Sequence, residues 1–376
     1  MLDYQNLELF SVNAKIFLKL RIIGTRSKKR QLLVALEPVL SIFGQILHLF
    51  MTRNESISET GLNFFFMAVV LNLVVRLFIV IHNGDKFVRL LRLVANWYHE
   101  IERDANPEVL RKLQDVNKHA RKLTRISIFA ACTGMLFAYT FPFSFDDRKL
   151  IVEVSYSFFD TKQSPFYEFF FLLQALVLVP IFCCVYLAFT NLFLAFLMFG
   201  EVVLLDLRVR LDSISSSGNK AAMLHELKEC IAYHRKIISY RNDLDNLVKV
   251  ANFFDVALFG LMFCMMLFFM SLVKDIQLVL SAVVFISFPV YVIAISYYYA
   301  NKFTNESIQI CNAAYNTPWY EGNLEMRKCV LIMIARSQRP LYITVMGMYP
   351  MTLETFQAII RISYSYFSLL QGLSQQ

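Results

Sequence analysis

The stretch PMTLETFQAIIRISYSYFSLLQ, residues 350–371, is long and apolar enough to cross a bilayer, yet it carries Glu354, Gln357, Arg361, Ser365, Ser368 and Gln371. A hydrocarbon core about 30 Å thick takes roughly 20 helical residues. The polar residues are separated by steps of 3, 4, 4, 3 and 3, which aligns them on one helix face. Leu353, Phe356, Ile360, Tyr364, Phe367 and Leu370 fall mostly on the others. A charge at mid-bilayer costs about 2.5 to 3.5 kcal/mol, so Arg361 is expected to face protein or water. Two readings of the stripe are open. It either hydrogen-bonds to neighbouring helices of a bundle, or it lines a water-filled path, which needs copies of the helix around an axis.

Six further stretches upstream have the same character, near residues 31–51, 62–82, 125–143, 168–200, 251–273 and 276–300. The chain of 376 residues is 57% hydrophobic and 18% charged, against about half and a quarter in soluble domains. The expected fold class is an all-α membrane protein with seven transmembrane helices. The fourth stretch exceeds what a bilayer needs and is expected to tilt or run on beyond it. Pro180 and Pro289 lie within the fourth and sixth spans, where neighbours must satisfy the carbonyls they free.

Lysine and arginine orient the spans, because they stay preferentially in the cytosol. The N-terminal arm and the connections after the second, fourth and sixth spans hold 7, 10, 8 and 5 of them. The connections after the first, third and fifth spans hold 1, 3 and 1, and the C-terminal tail none. This predicts a cytosolic N-terminus and an extracellular C-terminus. The net charge of +8 is thereby topological, and no nucleic-acid partner is expected. All seven cysteines fall in spans or on the expected cytosolic side, where disulfides are rare. The sequon at Asn54 falls on the outer side, close to the membrane, and that at Asn305 on the inner side.

The opening segment, NLELFSVNAKIFLKLRIIG, is broken by Lys15, Lys19 and Arg21, with no uninterrupted apolar core and no small-residue cleavage site. Residues 1–30 read as a cytosolic amphipathic segment at the interface. Spans one to four occupy 31–200. Residues 201–250 carry Leu227, Ile231, His234, Ile238, Leu244 and Leu247 near helical spacing and read as helical extensions. Spans five and six fill 251–300. The connection 301–349 includes LEMRKCVLIMIAR (324–336), an amphipathic helix too short to cross, which packs on those extensions or lies on the membrane surface. Residues 350–376 hold the seventh span. Glu37, Arg76 and Asp255 lie toward the cytosolic ends of their spans and read as structural.

Catalytic signatures such as G-x-S-x-G, H-E-x-x-H, a P-loop or a C-x-x-C pair are missing, so no enzyme, metal or cofactor is expected. Seven spans suggest a G-protein-coupled receptor, but the expected orientation is inverted and neither D-R-Y nor N-P-x-x-Y stands at the corresponding positions. A transporter is disfavoured by the lack of an internal repeat or paired broken helices.

Residues 300–371, with Trp319, the RSQRPLYIT run and the terminal SYSYFSLL, resemble the end of an insect odorant receptor. SPFYEFFFLLQ (164–174), LKECIAYHRKI (227–237) and NAKIFLKLRIIG (13–24) extend that resemblance over nearly the whole chain. The resemblance implies the odorant-binding subunit of a ligand-gated, non-selective cation channel in the plasma membrane of olfactory sensory neurons. It also implies a tetramer with a shared odorant receptor co-receptor, contacts among membrane lipids, and a small volatile odorant as ligand. The compact 201–249 connection resembles a ligand-tuned subunit, not the co-receptor. The ending TYxxxxxQF of the related gustatory receptors is not found here, which leaves that class as the alternative within the superfamily.

By the same resemblance the seventh helix lines the pore with Arg361, Ser365, Ser368 and Gln371, and a hydrophobic gate falls on Leu369 and Leu373. The implied odorant pocket draws on Phe65, Ala68, Val69 and Asn72 of the second span and Ala131, Gly134, Met135 and Ala138 of the third. Leu173, Leu176 and Val177 of the fourth and Leu280, Ser281 and Val284 of the sixth complete it.

Overall fold

The computed structural model describes residues 11–20, 28–51, 57–104, 106–144, 148–156, 160–214 and 220–374. In chain order its helices are α1 (Ser11–Lys19), α2 (Lys28–Met51), α3 (Ile57–His82), α4 (Gly84–Asp104), α5 (Pro107–Thr140), α6 (Phe166–Leu173), α7 (Val179–Asp212), α8 (Lys220–Leu272), α9 (Ile276–Asn316), α10 (Leu324–Ser337) and α11 (Leu353–Ser374). A π-helical turn, Gln174–Leu178, joins α6 to α7 into one rod. Six of these segments are long and apolar enough to cross a membrane: α2, α3, α5, the α6–α7 rod, α8 and α9. The more polar α11 is the seventh span.

Four of the seven run far beyond a bilayer's thickness. At 1.5 Å per residue the 53 residues of α8 measure about 80 Å and the 34 of α5 about 51 Å. Their surplus lengths, with those of α7 and α9, gather at one end of the molecule, the extension end. The opposite, loop end holds the α2–α3, α5–α6 and α8–α9 connections. Asn106 starts α5 by accepting the Glu108 N–H at 3.0 Å, with Pro107 in the first turn, where a missing N–H costs nothing. Asp275 caps α9 in the same manner through Gln277 N at 2.8 Å.

The extension end buries its aromatic and polar side chains in a shared core. Trp97 of α4 gives its indole N–H to Tyr233 of α8 at 2.9 Å, and Tyr233 donates onward to Asp206 of α7 at 2.7 Å. Gly200 sits where α7, α8 and α9 converge: a Cβ there would lie 2.6 Å from the Phe303 ring and 3.6 Å from that of Tyr240. Beside it the Glu201 carboxylate, 1% exposed, is flanked by Lys302 at 3.0 Å and Lys112 at 3.4 Å. Two cations on different helices offset the cost of burying one anion.

Sequence reading missed α4 as an element, since it is amphipathic, not continuously apolar. Its face Phe87, Leu91, Val94, Trp97 and Ile101 enters the common core. The α10 helix packs on α9 and α8 through Met326, Val330 and Met333, leaving Leu331 and Ile332 about two-thirds exposed. Within the expected interfacial segment, α1 is embedded against α7. Ala14 and Phe17 are fully buried, and Asn13 reaches Thr124 of α5 at 3.3 Å. Asn54 lies outside the described residues. All seven cysteines are free.

Before α11 the chain makes a small antiparallel hairpin, Thr344–Val345 against Tyr349–Pro350. Its turn places Met346 and Gly347 at φ of 51° and 74°, a left-handed conformation natural to glycine. The hairpin is docked on α8, where Asp245 accepts both the backbone N–H of Thr344 at 2.7 Å and its hydroxyl at 2.9 Å. From there α11 packs on α8 and, less extensively, on α9.

Candidate functional site

Between α3, α5, α7 and α9, in the half of the spans nearer the loop end, lies a cavity of about 500 Å³. That is within the usual range for small-molecule sites. It exists because α5 leans on α7, with Ser127 bonded to Asn191 at 3.1 Å, while standing off from α3 and α9. Small residues keep the α5 wall low. At Gly134 a Cβ would meet nothing within 4 Å.

At its loop-end limit the cavity is closed by aromatic rings. Phe66 of α3, Phe141 beyond α5 and Phe285 of α9 lie within 5.2–6.0 Å of one another, tilted or edge to face. Phe129, Phe182, Phe288 and Tyr291 add to the walls, and Met262 of α8 closes part of the depth. Thr133 and Ser287 are polar, but their hydroxyl hydrogens go to Phe129 O and Val284 O of their own helices, so toward the cavity they offer only lone pairs.

The polar floor comes from Asn72 and Tyr186, and beneath it lies Arg76, 2% exposed. Arg76 Nη2 donates to both Asp255 carboxylate oxygens at 2.8 Å, Nε to Asn72 Oδ1 at 2.9 Å and Nη1 to Thr190 at 3.2 Å. Asn72 Nδ2 closes the circuit on Asp255 at 2.8 Å. The guanidinium carbon sits 4.0 Å from the Tyr186 ring centroid, so the charge is also held against a π face. Arg76 and Asp255, two isolated charges in the sequence, are thus one neutral, hydrogen-bonded unit.

One wall is not a helix. The segment 148–156 dips between α2, α3 and the α6–α7 rod, burying Leu150, Ile151, Val152 and Val154, and places Ile151 and Val152 against the cavity. Gln174 accepts the Val152 N–H at 3.0 Å and donates to the Val152 carbonyl at 2.7 Å. On the other side Ser155 N donates to Gly44 O at 3.0 Å, so close that a Cβ on Gly44 would lie 2.8 Å from the Tyr156 ring. Buried backbone must find partners, and here a helix side chain supplies them.

The π turn has a second consequence. Val179 N bonds to Gln174 O, five residues back, and the following Pro180 has no N–H for the carbonyl of Ala175. The Tyr139 hydroxyl of α5 takes that carbonyl at 2.9 Å.

Of the residues expected at the pocket, Phe65, Val69, Asn72, Ala131, Gly134, Met135, Ala138 and Val284 line this cavity. Ala68 is buried in the α3 interior away from it. Leu173, Leu176 and Val177 do not line it, and Leu176 is 72% exposed on the outer surface. On this span Leu178, Val179 and Phe182, past the π turn, line the cavity instead. Leu280, 58% exposed, and Ser281, bonded to Gln277 O, sit a turn closer to the loop end, where Phe285 and Phe141 already fill the space.

On α11, Arg361, Ser365 and Ser368 are exposed in the single chain, as is Leu369 at 61%. The Ser365 and Ser368 hydroxyls donate to the carbonyls of Arg361 and Tyr364 in their own helix. Among the described residues Arg361 meets no carboxylate of this chain within ion-pairing distance. Gln371 is half-buried. The Leu373 backbone belongs to α11, but its side chain lies outside the described residues. Within a single chain, then, one face of α11 packs on α8 and α9 while the polar stripe faces away. Among the described residues no cluster of His, Cys, Asp and Glu has metal-site geometry.

Comparison with known proteins gives a consistent result. The family model described as 7tm Odorant receptor matches residues 56–364. Odorant receptor Or2 of Anopheles gambiae is 31% identical over 373 residues, covering 96% of this chain and 97% of the relative. Odorant receptor 10 of Aedes albopictus is 33% identical over 312 residues, 82% of each. The solved structure of the insect olfactory receptor OR5 from Machilis hrabei in complex with eugenol superposes with a TM-score of 0.83 at 18% identity, over 98% of this chain and all of that one.

Proposed function

The chain belongs to the odorant receptor family, a multi-pass membrane family of receptors and not enzymes, and we propose on that footing that it is the odorant-binding subunit of a heteromeric, ligand-gated, non-selective cation channel. The observation that carries this reading is the apolar cavity of about 500 Å³ lying among the spans. Its ligand is a small volatile hydrophobic molecule, held mainly by burial. Removing about 200 Å² of apolar surface from water stabilises binding by about 5 kcal/mol before ordering costs. Phe65, Val69, Asn72, Gly134, Met135 and Val284 are the contacts we assign first. An odorant opens the channel by binding the open arrangement more tightly than the closed one, since only that difference moves the population.

The pore is assigned to α11. In support, Arg361, Ser365 and Ser368 face away from their own chain, as a helix around a shared axis requires. Leu369 and Leu373, four residues apart, form an apolar ring that closes by dewetting. Assembly with a co-receptor in a tetramer uses the extension end, where α10 exposes Leu331 and Ile332. That end is cytosolic in this reading, with the N-terminus inside and the C-terminus outside, in keeping with the distribution of lysine and arginine. The site of action is the plasma membrane of olfactory sensory neurons.

The test is whole-cell current in oocytes expressing this chain with and without an insect odorant receptor co-receptor, during a panel of volatile aromatics, alcohols and esters. Rapid cation current that needs both chains and survives G-protein block is expected. A slow current abolished by that block would overturn the channel reading.

A further inference from the structure

We propose that the Arg76–Asp255 pair carries ligand occupancy from the cavity to α11, with Asn252 as the point of delivery; the inference rests on the channel reading above. Asn72 and Tyr186 line the cavity, and both touch Arg76, Asn72 through Oδ1 at 2.9 Å and Tyr186 through its ring at 4.0 Å. A ligand that presses on either residue presses on the guanidinium. Arg76 grips Asp255 with both carboxylate oxygens at 2.8 Å, and Asp255 belongs to α8, the helix on which α11 packs.

Three residues before Asp255, on the same face of α8, Asn252 donates to Thr344 O at 3.3 Å and to Met351 Sδ at 3.1 Å. Those acceptors belong to the hairpin and to Met351, two residues ahead of Leu353, where α11 starts. Continuous contacts therefore run from the cavity floor through one ion pair and one helical turn to the root of the pore helix. The pair transmits because it does not separate cheaply. A buried guanidinium pulled away from its carboxylate has no water to turn to, so α8 follows Arg76. Stability alone does not require such a pair at this depth, since well-packed apolar residues of similar volume hold a core as well. Arg76, Asp255 and Asn252 are positioning residues in this assignment.

The experiment uses two variants co-expressed with the co-receptor: the paired replacement Arg76→Met with Asp255→Met, which leaves no orphaned charge, and Asn252→Ala, which leaves the cavity and the ion pair whole. The ligand is the member of the panel that evokes the largest wild-type current. Each variant is expected to lower the maximal current per surface complex by about tenfold, within the usual span of coupling between sites, while ligand-induced thermal stabilisation of the purified complex persists. Wild-type maximal current in both variants would overturn the proposal, as would loss of ligand-induced stabilisation in Asn252→Ala. Hydrogen exchange on the full chain in detergent gives a reading that needs no ligand. The paired Met variant is expected to speed exchange across 344–356, and unchanged exchange there would sink the link even if the channel reading stands. Conversely, a wild-type complex that passes no current fails the channel reading, while faster exchange would still support the mechanical link.

Discussion

Gln174 holds both backbone groups of Val152, accepting its N–H at 3.0 Å and donating to its carbonyl at 2.7 Å, as a neighbouring β-strand would. The contact joins a π-helical turn to a loop that walls the cavity. Gln174→Leu leaves the two backbone groups unpaired in an apolar surrounding, at about 1 to 3 kcal/mol for each. The half-maximal odorant concentration is expected to rise about tenfold or more. Concentration–response curves at matched surface expression check this, and an unchanged curve would mean that the loop wall does not serve binding.

Gly134 faces open cavity, with nothing within 4 Å of where a Cβ would stand. Gly134→Ala is expected to leave activation close to wild type. Gly134→Trp fills the space a ligand needs and is expected to raise the half-maximal concentration by at least about tenfold, given that burial supplies most of the affinity. Surface biotinylation should find both variants assembled. Normal sensitivity of the Trp variant would remove the α5 wall from the binding site.

Leu369 is exposed on the α11 face that the single chain leaves uncovered. If it belongs to the dewetting ring, Leu369→Glu hydrates the constriction and raises the basal, ligand-free current several-fold, whereas Leu369→Val leaves it low. Basal conductance before and after exchange of external cations for an impermeant one measures the effect. Equal basal current in the two variants would move the gate elsewhere.

Gly200 has no room for a side chain, since the Phe303 ring would lie 2.6 Å from its Cβ. Gly200→Leu forces α7 and α9 apart below the spans, at a cost of about 1 to 3 kcal/mol or more. The variant is expected to show a lower midpoint of thermal unfolding and a smaller assembled fraction on size-exclusion chromatography. Its cavity residues are untouched, so complexes that do assemble should keep wild-type odorant sensitivity.

The spans were legible because hydrocarbon imposes a length and a composition that no loop meets. The stripe on α11 was legible through its steps of three and four. What escaped reading was set by partners remote in sequence. The face of α4 is apolar only in three dimensions, and its charges disguise it as a connection. On the fourth span the cavity is lined by Leu178, Val179 and Phe182, past a π turn, and not by Leu173, Leu176 and Val177. Pro180 was the available signal: a proline inside a span must free a carbonyl, and Ala175 is that carbonyl. Arg76 and Asp255 each looked like a charge near an end. Only a contact across 179 positions shows that they are a pair.

The helices that wall the cavity are the same ones that build the bundle at the extension end, but they do so with different residues. On α5, Val109 to Thr124 supply the bundle, and the cavity residues all come later, between Ile126 and Ala138. A substitution at Gly134 or Met135 therefore sits roughly three helical turns beyond Thr124, where the bundle residues of α5 end. On the function proposed above, cavity residues can change one at a time while the extension end, assigned to assembly, stays as it is.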